Sequence, residues 1–340
     1  MFHSNNKILF QFNNTLPLLT SILFILLLLT NPVNSMILVN NGLKTWYQNM
    51  IPSLFPFMVL SGFLLRTGLS YRISKLLYPV LGRLFQLSED CIYIMFMGFL
   101  CGFPMGASIT ADSFQLNKIT KREGDLLLAF CNNIGPVYFL SFASITCPFY
   151  SIKTTMSIMY LVPLLYGLFL RYTIFRDIPC CFFKKQHSLS HTKKYLSPYH
   201  VHKTENSAAK IYTCRPQYLK SFQEALQKGL ISILMLGGYM IIFNILQLPF
   251  YNSFYQLPEN ALCILKGLLE INSGITAIQS FPELYWVVYM IFLPFCGICC
   301  LFQTYAMIKD TPLSLQNYLI HKLTQTLITF CLYIMLSNIA

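Results

Sequence analysis

One apolar segment of this chain is interrupted before it is long enough to cross a bilayer. Residues 97–107 read MGFLCGFPMGA, in which Gly98, Gly102, Pro104 and Gly106 stand among apolar side chains. Backbone that leaves a helix inside hydrocarbon loses hydrogen bonds worth several kcal/mol each, so such a break persists only where protein or a water-filled cavity satisfies it. The segment therefore predicts a helix break at membrane depth, in contact with a solute or an ion.

Two further interruptions carry polar residues within apolar sequence. Residues 131–136 read CNNIGP, and residues 266–275, in the other half of the chain, read KGLLEINSGI. Paired broken segments in the two halves of a chain are the best sequence indication of a transporter's binding site. The candidate substrate-binding residues are those at the three interruptions: Gly102, Pro104, Gly106, Asn132, Asn133, Gly135, Pro136, Glu270, Asn272, Ser273 and Gly274.

The composition places the chain in a membrane. Hydrophobic residues make up 55% and charged residues 11% of the 340 residues, which leaves too little polar surface to coat a soluble globule. Several apolar stretches are shorter than the roughly 20 residues of a full span, so about six to eight spans with one or two hairpins are expected. The predicted fold class is an all-α, polytopic integral membrane protein with broken or re-entrant helices, located in the cell membrane.

The first residues allow two interpretations. Lys7, the apolar run 16–29 and Ser35 imitate a secretory signal peptide, but a first transmembrane helix with a short polar N-terminus looks the same. We expect residues 1–38 to form an N-terminal transmembrane segment or signal-like anchor.

A basic segment divides the rest of the chain. Residues 176–222 carry many lysines and arginines and few acids, so we predict a cytoplasmic loop attracted to anionic lipids between a first membrane unit (39–175) and a second (223–340). No nucleic-acid motif accompanies the charge. Four histidines, His187, His191, His200 and His202, lie there with Cys180, Cys181 and Cys214 nearby, but no pattern fixes a metal geometry. We predict neither a metal nor a cofactor.

The order of parts in the two units indicates a repeat. An apolar stretch precedes the break at Gly98 much as another precedes Gly267, although few identities accompany this alignment. An odd number of crossings per unit would invert the second copy and place both breaks near the bilayer midplane. A two-fold inverted repeat is therefore a hypothesis, beside the alternative that two short apolar segments merely carry glycines.

The polar residues at the breaks have structural alternatives as well. Thr120 and Glu123 match a capping box at the start of a helix that Gly135-Pro136 should stop or kink, and the two asparagines can bind a solute or cap this helix. A carboxylate inside a membrane is functional by default, but Glu270 can instead face water at the interface. Asp112 and Asp125 are expected at the aqueous rim.

These segments resemble a known family. The runs GFPMGA (102–107), ITKRE (119–123) and CNNIGP (131–136), with IPSLFPF (51–57) and LLEINSG (268–274), are similar to the sporulation integral membrane proteins of the YlbJ type. The resemblance implies a nucleoside-recognition, or gate, domain and a role in endospore formation, particularly of the cortex. The long His/Lys loop and CGIC (296–299) depart from the family pattern, which weakens transfer of detail to the second half.

The predicted function is a transporter-like, sporulation-associated membrane protein with a central site for a small polar solute, nucleoside-like or a cortex precursor. The alternative is a scaffold that holds other sporulation membrane proteins. No Ser-His-Asp order, Walker loop or metal motif appears, so no enzymatic activity is predicted. A membrane enzyme that uses a lone Glu with Asn on a lipid-linked precursor is the third alternative.

Overall fold

The computed structural model describes residues 18–19, 21–141, 144, 152–179, 218–251 and 257–337. These residues form helices joined by short turns, without a strand in the described ranges. The first-half helices are α1 (Ser21–Thr30), α2 (Pro32–Thr45), α3 (Ile51–Thr67), α4 (Ser70–Leu77), α5 (Arg83–Phe85), α6 (Glu89–Cys101), α7 (Met105–Gln115), α8 (Lys121–Cys131), α9 (Pro136–Ser141) and α10 (Ile152–Tyr172). The second-half helices are α11 (Tyr218–Ile245), α12 (Glu259–Leu269), α13 (Ile271–Ile278), α14 (Tyr285–Val287), α15 (Leu293–Phe295), α16 (Ile298–Ile308) and α17 (Leu315–Ser337).

The long helices make this a multi-pass membrane protein. Among the described residues, five helical runs are long and apolar enough to cross a bilayer, namely Pro32–Thr67, Ile152–Tyr172, Tyr218–Phe250, Pro282–Ile308 and Leu315–Leu336. The predicted lower bound of six is reached within the described residues only if the bent pair Ser70–Phe85 and Glu89–Cys101 counts as one span. Several of the other apolar stretches in the described residues belong to shorter helices, such as α7 and α12.

Two of these foldbacks are helical hairpins built on glycine pairs. A Cβ added at Gly98 or at Gly106 would lie 2.6 Å from the same atom, the carbonyl oxygen of Cys131, whereas these glycines would be about 12 Å apart in a straight helix. A Cβ added at Gly274 would lie 2.1 Å from the Cα of Gly267. Hence α6 folds back onto α7, and α12 onto α13.

The same sequence of parts occurs twice. In each half a long helix (α3 or α11) precedes a glycine hairpin, which is followed by a broken helix (α8–α9, or residues 282–308) and then by another long helix (α10 or α17). The first half has two additional short helices, α4 and α5, between its long helix and its hairpin. This partly shared order is compatible with the predicted repeat, which stays a prediction. The inverted orientation of the second copy stays a prediction.

Local signals in the sequence explain several helix ends. The predicted capping box is confirmed, because the Thr120 side chain accepts from the Glu123 amide while the Glu123 carboxylate accepts from the Thr120 amide. As predicted, α8 ends before Gly135-Pro136, and Pro136 opens α9. Residues 180–217, which contain the histidines and cysteines discussed above, lie outside the described residues.

Candidate functional site

Four helix breaks meet at one cavity of about 50 Å³. The breaks lie between α6 and α7, between α8 and α9, between α12 and α13, and between α15 and α16. The cavity is lined by Met50, Ser53, Leu54, Cys101, Phe103, Pro104, Ile134, Gly135, Tyr138, Leu236, Met240, Glu270, Ile271, Asn272, Cys296, Cys300 and Gln303. Both membrane halves therefore contribute to a single central space with a mostly apolar wall and a few polar groups.

The first two breaks are in direct backbone contact. Gly102 has a φ of +79°, and a Cβ there would lie 2.1 Å from the backbone nitrogen of Gly135. The amide of Phe103 donates to the carbonyl oxygen of Asn133 over 2.5 Å. Only glycine fits at position 102, for two reasons. Other residues rarely adopt a positive φ, and a Cβ would clash with the backbone of Gly135. The break at Gly102 thus aligns the break at Asn132–Gly135.

Asn132 ties three elements together at the second break. Its side-chain oxygen accepts from the amide of Ala107, and its side-chain nitrogen donates to the hydroxyls of Thr304 and Tyr318 at 3.1 and 3.2 Å. The residue is 1% exposed. Asn132 therefore links α7, α16 and α17 by hydrogen bonds, as a structural hub, and does not line the cavity.

The carbonyl end of α8 is satisfied by side chains. Asn133 donates to the Phe130 carbonyl over 2.5 Å, as expected for an asparagine that caps a helix end. Two residues of α17 reach the same end: Gln325 donates to the Ala129 carbonyl, and Lys322 donates to the Asn132 carbonyl and to Oδ1 of Asn133, both at 2.9 Å. Lys322 is 1% exposed, and the sequence analysis missed it.

Glu270 occupies the third break and caps α13. Its carboxylate accepts from the amides of Asn272 and Ser273, from the Asn272 side-chain amide at 2.6 Å and from the Ser273 hydroxyl at 2.9 Å. Only 2% of the residue is exposed, so the alternative of a glutamate that faces water is wrong. Three N–H donors, together with the Ser273 hydroxyl that also lies near Oδ1 of Asn244, compensate the burial of this carboxylate. Glu270 lies in the cavity wall as both a helix cap and a negative group.

A hydrogen bond joins the two halves beside the cavity. The Tyr138 hydroxyl, on α9, donates to Oδ1 of Asn272 at 2.8 Å. On the other side, the Ser273 hydroxyl lies 2.8 Å from Oδ1 of Asn244 on α11. The polar groups of the third break are consequently held by both units of the fold.

The fourth break was not predicted as a site. Cys296 and Gly297 both have positive φ, +71° and +81°, and a Cβ at Gly297 would lie 3.2 Å from the carbonyl oxygen of Gly267. Cys296 lines the cavity. The sequence contained one indication of this break, namely a glycine within the apolar run 284–302. This glycine lies in the CGIC segment (296–299) that departs from the family pattern.

The predicted site residues divide into two groups. Pro104, Gly135, Glu270 and Asn272 line the cavity. The others, placed by their contacts behind or beside it, shape the breaks: Gly102, Gly106, Asn132, Asn133, Pro136, Ser273 and Gly274. Tyr138, Gln303 and Ser53 are polar lining residues that the sequence did not single out.

The carboxylates of Asp112 and Asp125 are buried, and their predicted position at the aqueous rim stays a prediction. Both are 7% exposed. Asp112, on α7, contacts Lys228 of α11 and lies 3.9 Å from Arg66 of α3, while Asp125 accepts from the amide of Ser314. The sequence did not indicate that the Asp112 carboxylate would be paired and buried, because its basic partners are distant in sequence.

The described residues contain no group of three or more His, Cys, Asp or Glu side chains that could hold a metal ion. The histidines at 187–202 lie outside them.

The comparisons with known proteins agree with the resemblance in the sequence. A family model described as Gate, nucleoside recognition, matches residues 48–165, which contain the first hairpin and the second break. The chain is 25% identical over 337 residues to the sporulation integral membrane protein YlbJ of Bacillus subtilis (strain 168), covering 92% of this chain and 80% of the relative. No solved structure matches the chain significantly. Neither description names a reaction, and the resemblance to the sporulation membrane proteins is confirmed.

Proposed function

We propose that the chain is a transporter-like membrane protein of sporulation, needed for cortex formation, which binds a small polar solute where the four helix breaks meet. The observation that supports this most is the convergence of breaks from both halves on one cavity with Glu270 and Asn272 in its wall. Broken helices at the interface of two repeats are where secondary transporters bind their substrates. The role in sporulation rests on the similarity to the Bacillus subtilis protein.

The lining favours a solute with an apolar or ring body and a few hydrogen-bonding groups. Glu270 offers acceptors, Tyr138 and Gln303 offer further polar atoms, and the remaining wall is largely apolar. A nucleoside has this character, and the matching family model is described as nucleoside recognition. A cortex precursor is the second solute class.

The cavity, at about 50 Å³, is too small for a nucleoside, so under this proposal the structure is a closed state. A water molecule needs about 10–15 Å³ of such space, so the cavity has room for a few waters, whereas pockets for drug-sized ligands measure about 300–1,000 Å³. Binding of a nucleoside-sized solute therefore requires the helices around the breaks to separate. A protein that alternates between closed and open states fits a transporter better than a rigid receptor.

Solute binding by the purified, full-length protein in detergent tests the proposal. The panel contains nucleosides and, separately, soluble fragments of cortex precursors. We expect saturable binding of at least one class, weakened about tenfold or more by Glu270→Gln and by Tyr138→Phe, because each variant changes one polar partner in the wall. Glu283→Gln is the matched control, since Glu283 is exposed at a helix start away from the cavity.

Absence of binding across both classes by folded protein would overturn the solute site. Retained sporulation after replacement of every polar residue at the breaks would favour the scaffold. Hydrolysis of a labelled lipid-linked precursor by the purified chain would favour an enzyme.

A further inference from the structure

Lys322 is a fully buried cation that the proposed solute site does not use. It lies on α17, its side chain contacts the second break, and the residue is 1% exposed. Its Nζ donates to the Asn132 carbonyl and to Oδ1 of Asn133, each at 2.9 Å. We propose that Lys322 is a tethered cation: its amine stands where unwound backbone would otherwise coordinate a free monovalent ion, and it makes the folded site independent of Na⁺.

The surroundings of the amine are those of an ion site. In the part of the chain that the structure describes, Lys322 forms no ion pair with a carboxylate. The atoms that face it are neutral oxygens at the carbonyl end of α8, together with the nearby thiol of Cys296. The end of a helix carries a partial negative charge, so this position attracts a cation even without an acidic side chain.

Carbonyl groups that are freed at a helix break can be satisfied by a cation. In transporters, unwound carbonyls and half-helix C-terminal ends coordinate Na⁺ or protons. A lysine ammonium is a compact charge with three donors, and it can replace a small ion at carbonyl oxygens. Because Lys322 is anchored on α17, this cation cannot leave, and the second break stays formed whatever ions are present.

The thermal stability of the purified, full-length protein in NaCl and in choline chloride of equal ionic strength tests the inference. The wild type should melt at the same temperature in both salts. In choline chloride, the melting temperature of Lys322→Ala should be about 5–10 °C below that of the wild type, because two charge-assisted hydrogen bonds are lost. NaCl or methylammonium chloride should restore part of this difference, since either ion can enter the vacated space. Lys309→Ala, which removes an exposed lysine, should show neither effect.

Two results would overturn the inference. One is a wild-type melting temperature that rises when Na⁺ replaces choline, because the protein would then hold a free ion. The other is a folded Lys322→Ala protein that responds to neither Na⁺ nor methylammonium. If the alanine variant does not accumulate, Lys322→Gln, which keeps a donor but no charge, serves the same comparison: a response to Na⁺ supports the tethered cation, and no response contradicts it. Neither readout requires the solute to be known.

Discussion

At the scale of single residues, the charges near the cavity match the helix ends beside them. Glu270 stands at the amino end of α13, and Lys322 stands at the carbonyl end of α8. Each charge is opposite in sign to the partial charge of its helix end, which lowers the cost of burying it. The breaks therefore persist because buried side chains satisfy the backbone groups that the helices release.

Replacement of Asn132 should test this at one residue. Asn132→Ala removes the hydrogen bonds that Asn132 makes with the amide of Ala107 and the hydroxyls of Thr304 and Tyr318, in a position closed to water. We expect a loss of about 2–4 kcal/mol in the free energy of unfolding. Thermal unfolding of the purified protein measures it, with the exposed Asn317→Ala as the control; equal stability of the two variants would show that Asn132 is not a hub.

Some of these residues could be predicted and others could not. The capping box at Thr120 and the asparagine cap at Asn133 depend on neighbours within three residues, so the sequence contains the whole signal. Lys322 donates to residues about 190 positions away, and its helix looks like an ordinary polar helix start. Only the packing of α17 against α8 turns it inward.

At the scale of elements, glycines at different positions in the fold have different structural roles. Gly102 combines positive φ with a close backbone contact, Gly68 has positive φ with open space around it, and Gly238 has open space in a helix. Gly102→Ala should abolish accumulation of folded protein, Gly68→Ala should cost about 1–2 kcal/mol, and Gly238→Ala should stabilise by up to about 1 kcal/mol. Membrane levels and melting temperatures give this order; a tolerated Gly102→Ala would contradict the close contact of the two breaks.

The ion pairs of Asp112 should hold α7 against α3 and α11. Asp112→Asn leaves Arg66 and Lys228 without this carboxylate partner, and we expect a loss of about 1–3 kcal/mol in thermal unfolding of the purified protein.

The exposed pair of Arg122 and Asp177 provides the control for this prediction. Hydrogen bonds from Arg122 lower the pKa of Asp177, but both side chains face solvent, so Asp177→Asn should change stability little. Equal effects of Asp112→Asn and Asp177→Asn would show that the ion pairs of the buried Asp112 carboxylate contribute no more than a surface pair.

At the scale of the whole molecule, the sequence indicated the class of fold and three of the four breaks. Composition and glycine-proline interruptions are sufficient for these, because the bilayer limits the choice to helices and makes each interruption costly. The break at Cys296-Gly297, the hairpin geometry and the meeting of all breaks at one cavity depend on long-range packing between the halves. Those contacts leave no periodic signal in the chain.

The central claim is that sporulation depends on the polar site where the breaks meet. The most direct test is the yield of heat-resistant spores from a spore-forming strain that lacks the chain and is complemented with the native chain, Glu270→Gln or Glu283→Gln. We predict that the native chain and Glu283→Gln restore the yield and that Glu270→Gln does not, at equal membrane levels. Full restoration by Glu270→Gln would contradict a functional role for the site, and normal spores without any complementing chain would contradict the role in sporulation.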